Sequence, residues 1–192
     1  MERIAKHFVS ALKRRLQSGI FTTEDSIRYT FFASLITVGG FSPEDIILEY
    51  DHPKLDRAKI DTWIPFYRNG PLALEFKYDR AIPSKRNSPR TMKAGKIFND
   101  LRRLEMLDCR GMFIYVTDSE MVNYLRNKAN SLHDFFELSV GETWLLTEDF
   151  FNNRNRTFST ASGDLVEMEA KCIVSESLPN NHFLKIYETI SL

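Results

Sequence analysis

Apolar residues recur at helical spacing from the start of the chain. Ile4, Phe8, Leu12 and Leu16 share one face, with Lys6, Lys13, Arg14 and Arg15 between them, which predicts an amphipathic helix ending near Gly19. Its basic side reads as the solvated face of a packing helix. Ile27, Phe31 and Leu35, with Phe32 and Ile36, mark a second helix stopped by Gly39-Gly40. Thr22 or Thr23 can cap it, with Asp25 or Ser26 three residues on. Glu24 then falls in the first turn, where the helix dipole favours a carboxylate.

The period next changes to two. Ile46 to Tyr50 reads as a short strand, and Lys59 to Phe66 as a second. There Ile60, Thr62, Ile64 and Phe66 are expected on one face, with Asp61 and Trp63 on the other. Leu72 to Tyr78 is a third strand, with Leu72, Leu74 and Phe76 opposed to Ala73, Glu75 and Lys77. Asn69-Gly70 marks a hairpin turn. A strict two-residue turn there would pair Arg68 with Pro71 and put Asp61 opposite Tyr78, on the wrong face for Glu75. A direct Asp61–Glu75 pair requires a longer loop or a bulge, for which Pro65, lacking a ladder donor, is the natural place.

Residues 79–92 read as loop, with Pro83, Ser84, Asn87, Ser88 and Pro89 breaking any period. A third helix follows over about Thr91 to Leu107. Ala94, Ile97, Phe98, Leu101 and Leu104 form its buried stripe, with Lys93, Lys96, Asp100 and Arg103 mostly outside it. The apolar run from Gly111 to Thr117 predicts a strand covered on both faces. Ser119 to Lys128 reads as helix, Asn130 to Leu138 is ambiguous, and Thr143 to Thr147 reads as strand. After Asp149 the character shifts: Phe151 to Arg156 reads as loop, then Val166 to Ser175 and Phe183 to Ile190 as β segments. The order is α-α-β-β-β-α-β-α-β and a β tail. It implies one α/β domain over residues 1–192, with a small β-rich extension from 150.

Composition narrows the class. The 192 residues fit one domain. A hydrophobic content of 43% with 27% charged residues is that of an ordered soluble chain. Twenty-six basic and twenty-six acidic residues cancel, so attraction to nucleic acid must come from local clustering. Cys109 and Cys172 form neither a disulfide framework nor a metal-finger spacing, which points to a reduced, cytoplasmic setting. No secretion signal is expected from the N-terminal residues, and no apolar run reaches the roughly 20 residues that span a bilayer.

The candidate chemistry lies in the second and third strands. Asp61 and Glu75 can together hold a divalent cation, and the ammonium of Lys77 can orient an attacking water or stabilise an anionic transition state. Asp61 with Glu75-Phe76-Lys77, set in helix, three strands, helix and strand, resembles the PD-(D/E)XK nuclease superfamily with its restriction-endonuclease-like mixed sheet flanked by helices, and the resemblance makes about residues 20–147 the core. Ile60 stands where that family's motif has proline. The resemblance implies a metal-dependent endonuclease that hydrolyses DNA, such as a restriction or other defence nuclease. It implies Mg²⁺, with Mn²⁺ as a substitute, on Asp61, Glu75 and the Phe76 carbonyl, with Glu24 completing the site. Lys77 is then the catalytic lysine. A homodimer would be needed to cut both strands symmetrically.

Around that motif, Lys77, Arg80, Lys85, Arg86, Arg90, Lys93, Lys96, Arg102 and Arg103 face only Asp79 and Asp100 within residues 77–103. Such a local excess suits phosphate contact, and Lys85, Arg86, Arg90, Lys93 and Lys96 are the expected nucleic-acid contacts. Trp63, Tyr67 and Tyr78 are open to base stacking or to core packing. Glu49 occupies a position where some family members carry an extra acid. Asp51 and His52 read as turn residues, and His7, His133 and His182 as structural or solvent-facing. Two alternatives remain: a structure-selective nuclease such as a junction resolvase, and a catalytically silent binding module of the same fold.

Overall fold

The computed structural model describes residues 1–81, 89–164 and 167–190. It opens with α1 (Glu2–Gln17) and α2 (Glu24–Gly39). Thr23 is the residue that starts α2. Its hydroxyl accepts the Ser26 N–H at 3.2 Å, and Ser26 Oγ accepts the Thr23 N–H at 3.3 Å. This reciprocal cap makes Glu24 the first helical residue. Gly40, at φ 80°, closes the helix in the left-handed region that only glycine adopts without strain.

β1 (Ile47–Asp51), β2 (Lys59–Tyr67) and β3 (Gly70–Asp79) follow, then α3 (Arg90–Glu105) and β4 (Arg110–Asp118). Beyond them come α4 (Ser119–Arg126), α5 (His133–Phe136), β5 (Thr143–Leu146), α6 (Glu148–Asn152), α7 (Arg156–Ser162), β6 (Met168–Leu178) and β7 (His182–Ile190). The strands make one seven-stranded sheet in the order β1-β2-β3-β4-β7-β6-β5. β3 and β4 are parallel, joined by the α3 crossover, and every other pairing is antiparallel. The fold is therefore mixed α/β with a largely antiparallel open sheet, and the C-terminal strands belong to that sheet.

Helices cover both faces. Phe8, Leu12, Ile27, Phe31 and Leu35 of α1 and α2 pack on Ile64, Leu72, Leu74, Phe76 and Ile114. On the other face Ala94, Ile97, Phe98 and Leu101 of α3 pack on Ala73, Phe113 and Tyr115. Residues 151–156, expected as loop, instead contribute to α6 and α7, because Phe150, Phe151 and Phe158 gather around Phe98 with ring centroids 5.0, 6.0 and 5.5 Å away. Asn155 caps α7 by accepting the Phe158 N–H at 2.9 Å. Among the described residues no helix is long and apolar enough to cross a membrane.

The β2–β3 hairpin departs from the strict pairing in two ways. Its tip is Arg68-Asn69, not Asn69-Gly70, with Tyr67 opposite Gly70 and Arg68 left-handed at φ 53°. Between Ile64 and Tyr67 the register then slips by one residue, at Pro65-Phe66. The bulge turns Phe66 out to 85% exposure and puts Tyr67 into the core. Further along, Ile64 pairs with Leu72 and Thr62 with Leu74, so the next step brings Asp61 opposite Glu75. The regular alternation expected for β2 also fails at its other end. Ile60 packs with Ala73 and Phe113, on the opposite side from Ile64.

One prediction concerns the seating of α3. At Gly95 an added Cβ would lie 2.6 Å from the Phe158 carbonyl oxygen and 2.7 Å from Ala161 Cβ. Gly95→Ala is expected to lose about 1–3 kcal/mol of stability through overpacking. Urea unfolding measures this, and an unchanged midpoint would mean that α7 does not press on α3.

Candidate active site

Past Thr62–Leu74 the regular β2–β3 pairing stops, and the donors of β3 that face the gap need other acceptors. The Phe76 N–H donates to Asp61 Oδ2 at 2.8 Å, and the Tyr78 N–H donates to Glu24 Oε2 at 2.8 Å. Two carboxylates thus continue the hydrogen bonding where the neighbouring backbone leaves off. In an antiparallel ladder a residue's N–H and C=O face the same neighbour. By that rule the Phe76 carbonyl opens on the same gap.

Around this gap the expected residues converge. Asp61 is partly buried and Glu75 is buried, the register sets them opposite each other, and the charge of Asp61 acts on Glu75. Lys77 Nζ lies 3.4 Å from Glu24 Oε2. Lys77 and Glu24 also line a cavity of about 290 Å³ with Thr23, Tyr78, Asp79, Arg80, Lys93 and Lys96. Lys93 Nζ donates to the Arg80 carbonyl at 3.2 Å. Arg90 instead pairs with Glu120 at 3.6 Å and is not among the cavity residues. Lys85 and Arg86 lie outside the described residues. Of the three aromatics, Tyr67 is core, Trp63 stacks on Tyr50 at 5.0 Å, and Tyr78 shares a hydrogen bond with His182 at 2.9 Å.

Three further residues join the site. Arg28 of α2 bonds Asp61 Oδ1 at 2.6 Å and Glu49 Oε1 at 2.5 Å, so Glu49 reaches the site through Arg28. Arg103 of α3 lies 2.9 Å from Glu75 Oε1 and 3.6 Å from Asp100 Oδ1. Asp100 itself interacts with Lys77 and Asp61. A signal for the α3 residues was present in the sequence. Lys93, Lys96, Asp100 and Arg103 recur at intervals of three, four and three, which is one stripe of a helix. For Arg28 no local pattern existed.

Scans of protein-family models, of curated proteins and of solved structures each found no match to this chain. The assignment of the site rests on its own chemistry.

Burial raises the Glu75 pKa well above its ordinary value, and neighbouring Asp61 and Asp100 push it further, while Arg103 opposes them. Burial likewise raises Asp61 against the Phe76 N–H and Arg28. Burial carries Asp100 up to about 7, against Lys77 and Arg103. Burial alone would lower Lys77, but Glu24, Asp100 and Asp79 more than offset it, and its pKa is raised. The ammonium is therefore charged at neutral pH.

These acids suit a hard divalent cation in their donor chemistry: two carboxylates and a backbone carbonyl, all oxygen. Glu75 Oε1 is buried and accepts no aligned hydrogen bond among the described residues, despite the 2.9 Å approach of Arg103. That approach is an ion pair by distance alone. The ligand shell is not gathered, however. Among the described residues no three acidic, histidine or cysteine side chains stand in ligating geometry. Asp61 is held by Arg28 and the Phe76 N–H, and Glu24 by Tyr78 and Lys77.

The raised acids fix the sign of a pH effect. A carboxyl whose folded pKa lies above its unfolded value stabilises the fold at low pH and loses that contribution as pH rises through the folded value. For Asp100 the loss runs from about pH 4 to above about pH 7. In EDTA the protein is thus expected to be less stable at about pH 8 than at about pH 5, with Asp100→Asn flattening the slope. Denaturant titration at both pH values is the measurement. A stability that rises with pH, or a slope untouched by Asp100→Asn, would contradict this charge assignment.

Proposed function

We propose that the chain is a metal-dependent nuclease that hydrolyses DNA phosphodiester bonds on a restriction-endonuclease-like core. The observation that carries this reading is the meeting of Asp61 and Glu75 where β2 and β3 part, beside a charged Lys77. The order α2-β1-β2-β3-α3-β4, with β3 and β4 parallel, supports the same reading.

Asp61, Glu75 and the Phe76 carbonyl would hold Mg²⁺ or Mn²⁺, with Glu24 at the margin. Such an ion, when bound, acidifies water and neutralises charge on the scissile phosphate. The protein's own groups do the rest. Lys77, on the wall of the cavity, orients the water that attacks phosphorus and donates to the oxygens that gain charge as the P–O bond to the leaving sugar breaks. Lys93, Lys96 and Arg80 line the same cavity and attract the backbone phosphates. Arg28 must release Asp61 for the ion to bind there.

One observation favours a second reading. Arg28 and Arg103 already neutralise Asp61 and Glu75, as they would in a catalytically silent nucleic-acid-binding module of the same fold.

Cleavage of supercoiled plasmid and of single-stranded circular DNA separates the two. The wild type is expected to nick or linearise DNA with Mg²⁺ or Mn²⁺ and not in EDTA, and Asp61→Ala and Lys77→Ala to lose about a hundredfold or more. Binding without cutting under every divalent ion tested would leave the silent module, and cutting that survives both substitutions would dismiss the site.

A further inference from the structure

The basic cavity has an aromatic rim. Phe21 stands 68% exposed, and Ile20 before it 60%, in the turn between α1 and α2. Single exposed apolar residues are ordinary. This one differs in how it is held and in what stands over it.

The turn is tied down on both sides. Thr22 is buried and donates to the Ile20 carbonyl at 3.0 Å, and Arg15 donates to the Phe21 carbonyl at 3.0 Å. Thr23 then caps α2, and Glu24 reaches the site. The segment that delivers a candidate active-site acid therefore also sets the position of the ring. Over the ring lies the guanidinium of Arg80, 4.4 Å from its centroid and 5.8 Å from that of Tyr78. Arg80 is in turn part of the cavity wall with Lys77, Lys93 and Lys96.

We infer that Phe21 and Arg80 form a stacking platform for one unpaired nucleobase, next to the phosphate attracted by Lys77, Lys93 and Lys96. The substrate class is then nucleic acid with single-stranded character at the cut: a single strand, a flap or a junction. This rests on the nuclease reading and makes it more specific. In a duplex both faces of a base are covered by its neighbours, and only an unpaired or extruded base can lie against a protein ring. Four cations in the cavity, with Glu24 and Asp79 opposing them, hold the backbone. A guanidinium seated 4.4 Å over a phenyl ring extends the platform toward them. The fixed turn means that little order has to be gained on binding.

The test is fluorescence anisotropy in EDTA, using the full chain with a short labelled oligothymidylate and with a duplex of the same length. The wild type should prefer the single strand. Phe21→Ala should weaken single-strand binding about tenfold and leave the duplex within about twofold, and Phe21→Trp should retain it. The ring is exposed, so its loss should leave the melting temperature in place, which separates lost stacking from lost fold. Equal weakening on both probes, or no weakening on either, overturns the platform. An apolar protein partner docked on Phe21 would give the second result. With the divalent ion absent, the measurement is independent of cleavage. A protein that never cuts but shows this discrimination keeps the platform and loses the nuclease. One that cuts while Phe21→Ala changes nothing in binding does the reverse.

Discussion

The hydrogen bond from the Phe76 N–H to Asp61 Oδ2 is the contact on which the site depends. Where β2 parts from β3, a buried backbone donor loses its usual partner and would be costly if left alone. A carboxylate replaces that partner, and a charged acceptor makes the bond stronger than the ladder bond it succeeds. Glu24 does the same for Tyr78 one step along. Both acids are thereby oriented by the sheet itself. Removing Asp61 would strand a donor as well as delete an acid, so Asp61→Asn isolates the chemistry better than Asp61→Ala.

Such a concentration of negative charge under two layers of helix needs counter-charge, and it comes from both sides. Arg28 supplies it from α2 and Arg103 from α3. A buried ion pair is strongly destabilised when one partner is removed. Arg28, though, also bonds Glu49 and lies 4.0 Å from Asp25, and Arg103 also faces Asp100. Each guanidinium could leave its carboxylate and still have a partner.

Much of this was legible in the chain. The capping threonine, the three strands with their acids, the helix after them and the need for an irregularity near Pro65 all follow from short-range patterns. The residues missed were those delivered by packing. Arg28 acts across 33 residues of sequence from Asp61, and nothing local marks it. Asp100 and Arg103 were assigned to the outside of α3 because charge usually lies there, yet their stripe faces Glu75 and Lys77. The alternation of β2 failed at two separate places: at Phe66 because the bulge at Pro65-Phe66 shifts the register, and at Ile60 next to the point where the β2–β3 pairing stops. The short helices α6 and α7 escaped notice because packing on Phe98, more than any helical period, secures them.

The place of β7 between β4 and β6 has a consequence for how the molecule is made. It follows the six other described strands in sequence and lies well inside the sheet. Until residue 190 has left the ribosome, β4 presents a long unpaired edge to the cell. A nascent chain paused before β7 is an invitation to other strands, and chaperones are what would guard it.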